Sequence, residues 1–264
     1  MTFQSLEYLI FLPVVFFLYW TVGRRSRTFQ NGLIVAVSLV FYGWWDWRFL
    51  GLLLLTAFST FFAGCWMGKT DDQKKRKAIL VGTTVLNLGV LFFFKYYNFF
   101  VQAFIDAFSL FDKNISISTL NILLPVGISF YTFTALSYSI DVYWRKVEPT
   151  RDLLAYLAYV TFFPSILSGP ISRAQKQLPQ YFERRDFDYE KAVSACRLML
   201  IGGMMKLCLA DRLGIYVDTV YANITHHNGT TLLFTSILYT IQIYADFAGY
   251  SLMAVGSGKL LGVE

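Results

Sequence analysis

The stretch QIYADFAGYSLMAVGSGKLLGVE, residues 242–264, decides how the rest of the chain is read. It closes an apolar run that begins near Thr231 and carries Asp246 near its middle. An ionisable side chain inside such a run costs a few kcal/mol in lipid, so it turns towards a bundle interior or a cavity. Gln242, Asp246 and Tyr250 fall at i, i+4 and i+8 and therefore share one helix face. Two readings of this polar stripe stay open: a hydrogen-bonded seam between helices, or the wall of a wet tunnel. Both place Asp246 inside the bundle.

Outward from this stretch the pattern repeats. Hydrophobic residues make up 56% of the 264 and charged residues 15%, where soluble domains have roughly 45–50% and about 25%. Apolar runs at 6–22, 29–45, 49–68, 78–101, 122–144, 192–213 and 231–258 reach or approach the ~20 residues that cross a bilayer. The expected fold is all-α: a polytopic membrane protein of about seven transmembrane helices, forming one membrane domain over residues 1–264. Residues 102–121 are more polar and are expected as an interfacial helix. Residues 153–170 are apolar but short and are broken by Pro164 and Ser168-Gly169-Pro170, so they are expected to re-enter rather than cross.

The net charge of +6 does not point to nucleic acid, because no basic stripe accompanies a readable binding motif. Most of the 23 Lys and Arg gather in loops that become cytoplasmic if the N-terminus is outside and 153–170 re-enters. These include Arg24, Arg25 and Arg27, Lys69 and Lys74 to Lys77 with Arg76, and Arg173 to Lys191. Membrane lipid is then the surrounding partner. The first apolar run has no basic leader and no small-residue cleavage site, and is read as a retained helix. Cys65, Cys196 and Cys208 lack metal or disulfide spacing and are read as core or lipid-facing residues.

Several polar residues remain. Lys95 in FFFKYYNFF can snorkel. Asp141 and Arg212 are read as helix-end groups at the cytoplasmic interface. Lys206 and Asp211 lie on MMKLCLADRLG five residues apart, a poor spacing for an intrahelical pair, so a partner on another helix is expected. Ala245 with Gly249, and Ala254 with Gly258, allow close helix packing. GSGK at 256–259 lacks the phosphate-loop pattern, since Met253 and Leu260 stand where Gly and Ser/Thr are needed. His226 and His227 sit in the turn-rich NITHHNGT and are read as solvated. No metal site and no bound cofactor are expected.

Four ordered blocks carry a resemblance: LLPVGISFYTFTALSYSIDVY (123–143), FFPSILSGPISRAQKQLPQY (162–181), GGMMKLCLADRL (202–213) and QIYADFAGYSLMAVGSGKLLG (242–262), with FYGWW (41–45) beside them. Together they resemble the membrane-bound O-acyltransferase family, in the branch of the alginate O-acetyltransferase membrane component. The resemblance implies helices ringed around a tunnel. It implies transfer of an acyl group from a cytoplasmic thioester, acetyl-CoA or another acyl donor, to hydroxyls of a cell-surface polysaccharide such as alginate. It also implies a bacterial inner membrane location and extracytoplasmic glycan-modifying partner proteins. By the same resemblance Ser168, Gly169, Pro170 and Arg173 belong to a cytoplasmic re-entrant region. Gln242, Asp246 and Tyr250, with Lys206 and Asp211, line or support the tunnel.

The chain departs from the family at one point. The family's essential histidine follows the DF-GYS block by a few tens of residues, in a tryptophan- and arginine-rich segment, and the sequence ends at Glu264. His226 and His227 precede that block and cannot replace it. No catalytic residue is therefore assigned. The chain is expected to be part of a longer enzyme, inactive alone; the alternative is a non-catalytic scaffold subunit of a polysaccharide-modification complex. A transporter is disfavoured because no internal repeat is visible.

Overall fold

The computed structural model describes residues 3–109, 125–167, 169 and 172–264. Its regular secondary structure over these residues is all helical, with α-helices α1 Leu6–Thr21, α2 Arg27–Gly43, α3 Leu50–Gly68, α4 Gln73–Ser109, α5 Ile128–Tyr143, α6 Leu153–Val160, α7 Phe163–Ile166, α8 Ala174–Gln177, α9 Tyr189–Met204, α10 Asp211–Ala222 and α11 Gly229–Leu260. Several starts follow directly from sequence. Ser5, Ser26, Asp152, Asp188 and Asn228 each cap a helix by accepting a hydrogen bond from a backbone N–H three residues on, which satisfies one of the amides that a helix leaves open.

Four segments are long and apolar enough to cross a membrane: Trp47–Gly68, Gln73–Ala103, Tyr189–Ala222 and Gly229–Leu260. Runs 6–22, 29–45 and 122–144 form helices of 16, 17 and 16 residues. Large apolar side chains such as Leu6, Phe17, Trp66, Phe99, Leu200 and Leu233 lie on the outer surface. Exposure of this kind along every long helix matches lipid and not water. The chain is an all-α integral membrane protein.

Two boundaries differ from the sequence reading. α4 runs unbroken to Ser109, so the first part of the expected interfacial segment extends that helix, and residues 110–121 lie outside the described residues. Of the run 122–144 the structure describes 125–144, and there the helix begins at Ile128, because Gly127 has φ 74° and turns the chain. A Cβ on Gly127 would also lie 2.3 Å from Ile166 O. Only glycine suits both demands, and it lets the start of α5 rest directly on α7.

α6 and α7 hold 8 and 4 residues, far short of a span. Their side chains are buried: Ala155, Tyr156, Tyr159, Val160, Phe163 and Ile166 are all in the core. Irregular backbone at membrane depth is tolerated when protein covers it in this way.

The core is rich in tyrosine. Tyr8, Tyr19, Tyr131, Tyr138, Tyr156, Tyr159 and Tyr181 are among the largest fully buried side chains. Between helices in lipid, packing and hydrogen bonds replace the hydrophobic effect, and a tyrosine supplies both. Tyr8 OH meets Ser257 Oγ at 2.6 Å, joining α1 to α11. Tyr156 OH meets Thr60 Oγ1 at 2.7 Å, joining α6 to α3. Tyr138 OH accepts from Thr150 N–H at 3.0 Å.

Arg76, expected among solvated loop cations, is buried in the first turn of α4. It donates to Met67 O at 2.7 Å, Val142 O at 2.7 Å and Tyr143 O at 3.1 Å. One guanidinium thus caps the carbonyl ends of α3 and α5, where a cation is favoured. Arg76→Ala should destabilise the chain by ~3 kcal/mol, since it strands buried carbonyls. Thermal unfolding in detergent checks this, with Arg76→Lys expected to recover only part of the loss because a point donor lacks the guanidinium fork.

Candidate functional site

α9 and α10 form one continuous helical rod from Tyr189 to Ala222, antiparallel to α11. Small residues bring the two close. A Cβ on Gly202 would lie 2.5 Å from Gly249 O, and one on Gly249 would lie 2.7 Å from Gly202 O. Seven residues along each helix the contact recurs, where a Cβ on Gly256 would lie 2.8 Å from Ala195 O. The close contact therefore runs through Gly249 and Gly256 with α9, while Gly258 faces Phe162. Residues 256–259 are ordinary helix, and Lys259 Nζ donates to Ser194 Oγ at 2.8 Å.

Between α9 and α10 the backbone widens to a π-helix over Met205–Ala210. A π turn bonds residues five apart, and such turns frequently occur at functional sites. Its effect here is specific. Lys206 and Asp211, misaligned on an α-helix, come onto one face, and Lys206 Nζ lies 2.8 Å from Asp211 Oδ1. The same Nζ lies 2.5 Å from Asp246 Oδ1 on α11. One ammonium is thus shared by two carboxylates from two helices, giving the cluster a formal charge of −1. The expectation that Lys206 and Asp211 are poorly spaced to pair within their own helix is corrected by the π turn. The interhelical partner is present as well.

The cluster is not sealed. The side chains of Lys206, Asp211 and Asp246 are 19%, 39% and 52% exposed. Asp246 was expected inside the bundle; it lies exposed at the edge of the helix pair formed by α11 and the α9–α10 rod. Gln242 lies next to Gly214 of α10, where a Cβ would come 3.0 Å from its Nε2. Tyr250 packs against Phe3, the rings tilted at 39° with centroids 4.5 Å apart. The stripe therefore spreads from α10 through Lys206 to the N-terminal segment.

The other expected positions separate. Gly169 and Arg173 are described, and Arg173 is exposed just before α8; Ser168 and Pro170 lie outside the described residues. Arg212 sits within the Tyr189–Ala222 rod and not at a helix end, since that helix continues for ten residues past it. Asp141 lies two residues before the end of α5. Lys95 Nζ donates to Ser129 Oγ at 3.3 Å and lies over the Tyr96 ring. His226 and His227 follow α10 in the turn before α11. Asp211 is the first of the 12 residues of α10 and the histidines follow its last, so about 17 Å of helix axis lies between them.

Arg185 was missed. Expected in a solvated loop, it is 7% exposed. Its guanidinium donates to Asn31 Oδ1 and faces the rings of Tyr181 and Tyr19. Gln30 closes a two-way bond with the Arg185 backbone, at 3.0 Å and 2.8 Å. Cation–π contact and amide bonds, not a carboxylate, hold this cation.

No protein-family model matches the chain. Relatives do. The probable alginate O-acetylase AlgI of Pseudomonas aeruginosa is 36% identical over 99% of this chain and 50% of its own length. The peptidoglycan O-acetyltransferase of Helicobacter pylori is 27% identical over 96% of this chain and 53% of its own. Over nearly its whole length the chain is similar to proteins named as O-acetylases and O-acetyltransferases. The teichoic acid D-alanyltransferase of Bacillus subtilis matches more distantly, at 25% over 54% of this chain and 37% of its own. The chain spans about half the length of the curated O-acetylating relatives it matches.

The helix pair is the element that brings the charged cluster together. Gly249→Val should therefore disrupt it, costing roughly 1–3 kcal/mol by overpacking against backbone. Gly203→Ala is the control, because a Cβ there meets nothing within 4 Å. Unfolding midpoints of the two variants in one detergent give the comparison: a marked drop for the first and almost none for the second.

Proposed function

We propose that the chain belongs to a membrane-bound O-acyltransferase that moves an acyl group, first of all acetyl, to hydroxyls of a cell-surface polysaccharide such as alginate. The donor in this reading is a cytoplasmic thioester such as acetyl-CoA. The protein sits in a bacterial inner membrane with its N-terminus outside and works with extracytoplasmic glycan-modifying partners. The observation that carries the reading is 36% identity to an alginate O-acetylase over 99% of this chain.

The reaction forms an ester bond to the sugar oxygen and breaks the thioester C–S bond. The hydroxyl proton leaves through a base and ends on the released thiol. In this reading the charged cluster positions the acceptor. Asp246 turns one carboxylate oxygen to Lys206, and its other oxygen can accept a hydrogen bond from a sugar hydroxyl. Fixing a hydroxyl in this way lowers the barrier through orientation. The base itself is not assigned: His226 and His227 stand a helix-length from the cluster. The scaffold alternative draws on that same separation and predicts glycan acylation that is indifferent to Asp246.

Membranes carrying the gene product, supplied with labelled acetyl-CoA and polysaccharide, provide the test. Asp246→Asn should lower transfer about a hundredfold, as for loss of a group that orients a reacting atom, at unchanged membrane level. Equal transfer by wild type and Asp246→Asn would overturn the positioning role.

A further inference from the structure

The segment after α7 forms a pocket of about 320 Å³ lined by Ser172, Arg173, Lys176, Gln177 and Glu264. It lies apart from the Lys206 cluster and shares no residue with it. Its walls are fixed from behind. Ala174, Leu178 and Tyr181 are buried, and Ser172 O accepts from Tyr159 OH at 2.9 Å. At the rim Gln180 Nε2 donates to Glu264 O at 2.7 Å, and Glu264 N–H donates to Gln180 Oε1 at 2.8 Å.

The charges in this pocket do not balance. Arg173 and Lys176 are both exposed, and among the described residues neither has an ion-pair partner. The one acid, Glu264, is engaged by Lys191 at 2.9 Å. The hydrogen bond and charge of Lys191 hold its carboxyl below the usual carboxylate range, so its charge is already met. Gln177 is 6% exposed, and among the described residues its Oε1 has no hydrogen-bond donor. A preformed polar recess with two uncompensated cations and one unmet acceptor matches a phosphate-bearing ligand. An arginine fork and a lysine point charge engage the phosphate oxygens, and a P–OH or neighbouring hydroxyl supplies the donor for Gln177.

We propose that Arg173 and Lys176, with Ser172 and Gln177, form a binding site for the phosphate groups of such a ligand. The inference stands whether or not the chain takes part in acyl transfer. Two sources present this chemistry: a soluble phosphorylated compound of the coenzyme A type, and an anionic phospholipid headgroup.

The experiment is calorimetric titration of the purified chain in non-ionic detergent with inorganic pyrophosphate. Saturable binding is expected, and Arg173→Gln/Lys176→Gln should weaken it by at least about tenfold, the loss of one charge-assisted bond or more. Both side chains are exposed, so the fold is retained; Lys176→Gln alone should give an intermediate loss. Lys74→Gln/Lys75→Gln, an exposed basic pair after α3, should leave binding unchanged. Displacement of pyrophosphate by coenzyme A identifies the soluble source. Loss of pyrophosphate binding in phosphatidylglycerol nanodiscs, and not in phosphatidylcholine nanodiscs, identifies the headgroup. Absence of saturable binding, or equal weakening by both lysine-containing double variants, overturns the site.

Discussion

A lysine in a membrane-spanning helix has to meet an anion, and the α9–α11 pair is arranged around that requirement. Lys206 reaches Asp211 on its own rod and Asp246 on the next helix. Neither contact is available to a regular helix at ordinary spacing. The π turn brings Asp211 round, and the absence of side chains at Gly202 and Gly249 brings α11 close enough for Asp246. Backbone geometry and charge pairing are thus one feature. Closing the π turn to a regular α-helix would separate the carboxylates, and separating the helices would leave an ammonium in lipid at a cost of several kcal/mol.

The remainder of the fold serves to hold that pair against a tyrosine-lined core. Tyr8 ties α1 to α11 through Ser257, and Trp20 Nε1 donates to Leu260 O at 3.0 Å. Short buried α6 and α7 fill the space behind. Phe163 N–H donates to Ser38 Oγ at 3.1 Å, which anchors this irregular backbone to α2. Two buried arginines close the loop ends: Arg76 over the carbonyls of α3 and α5, and Arg185 between two tyrosine rings.

Much of this was legible from sequence. The apolar runs follow from composition, and the all-helical membrane fold follows from them. The polar face of α11 was visible from spacing alone. What was hidden has a common cause: tertiary context changed the meaning of a residue without changing its local pattern. Arg76 and Arg185 sit in charge runs that read as solvated, and only the nearby carbonyls, amides and rings make them interior. Lys206 and Asp211 read as misaligned because the periodicity argument assumes 3.6 residues per turn, and a π turn departs from it. Asp246 was expected deeper than it lies, because a polar stripe reveals that a face needs a partner and not how completely that partner covers it.

The central claim is that Lys206 and Asp246 are energetically one unit. A double-mutant cycle of Lys206→Met and Asp246→Asn, read by unfolding in a single detergent, measures it directly. The account predicts that Lys206→Met costs more alone than in the Asp246→Asn background, with a coupling of about 1–3 kcal/mol. Additive effects, agreeing within roughly 0.5 kcal/mol, would contradict it.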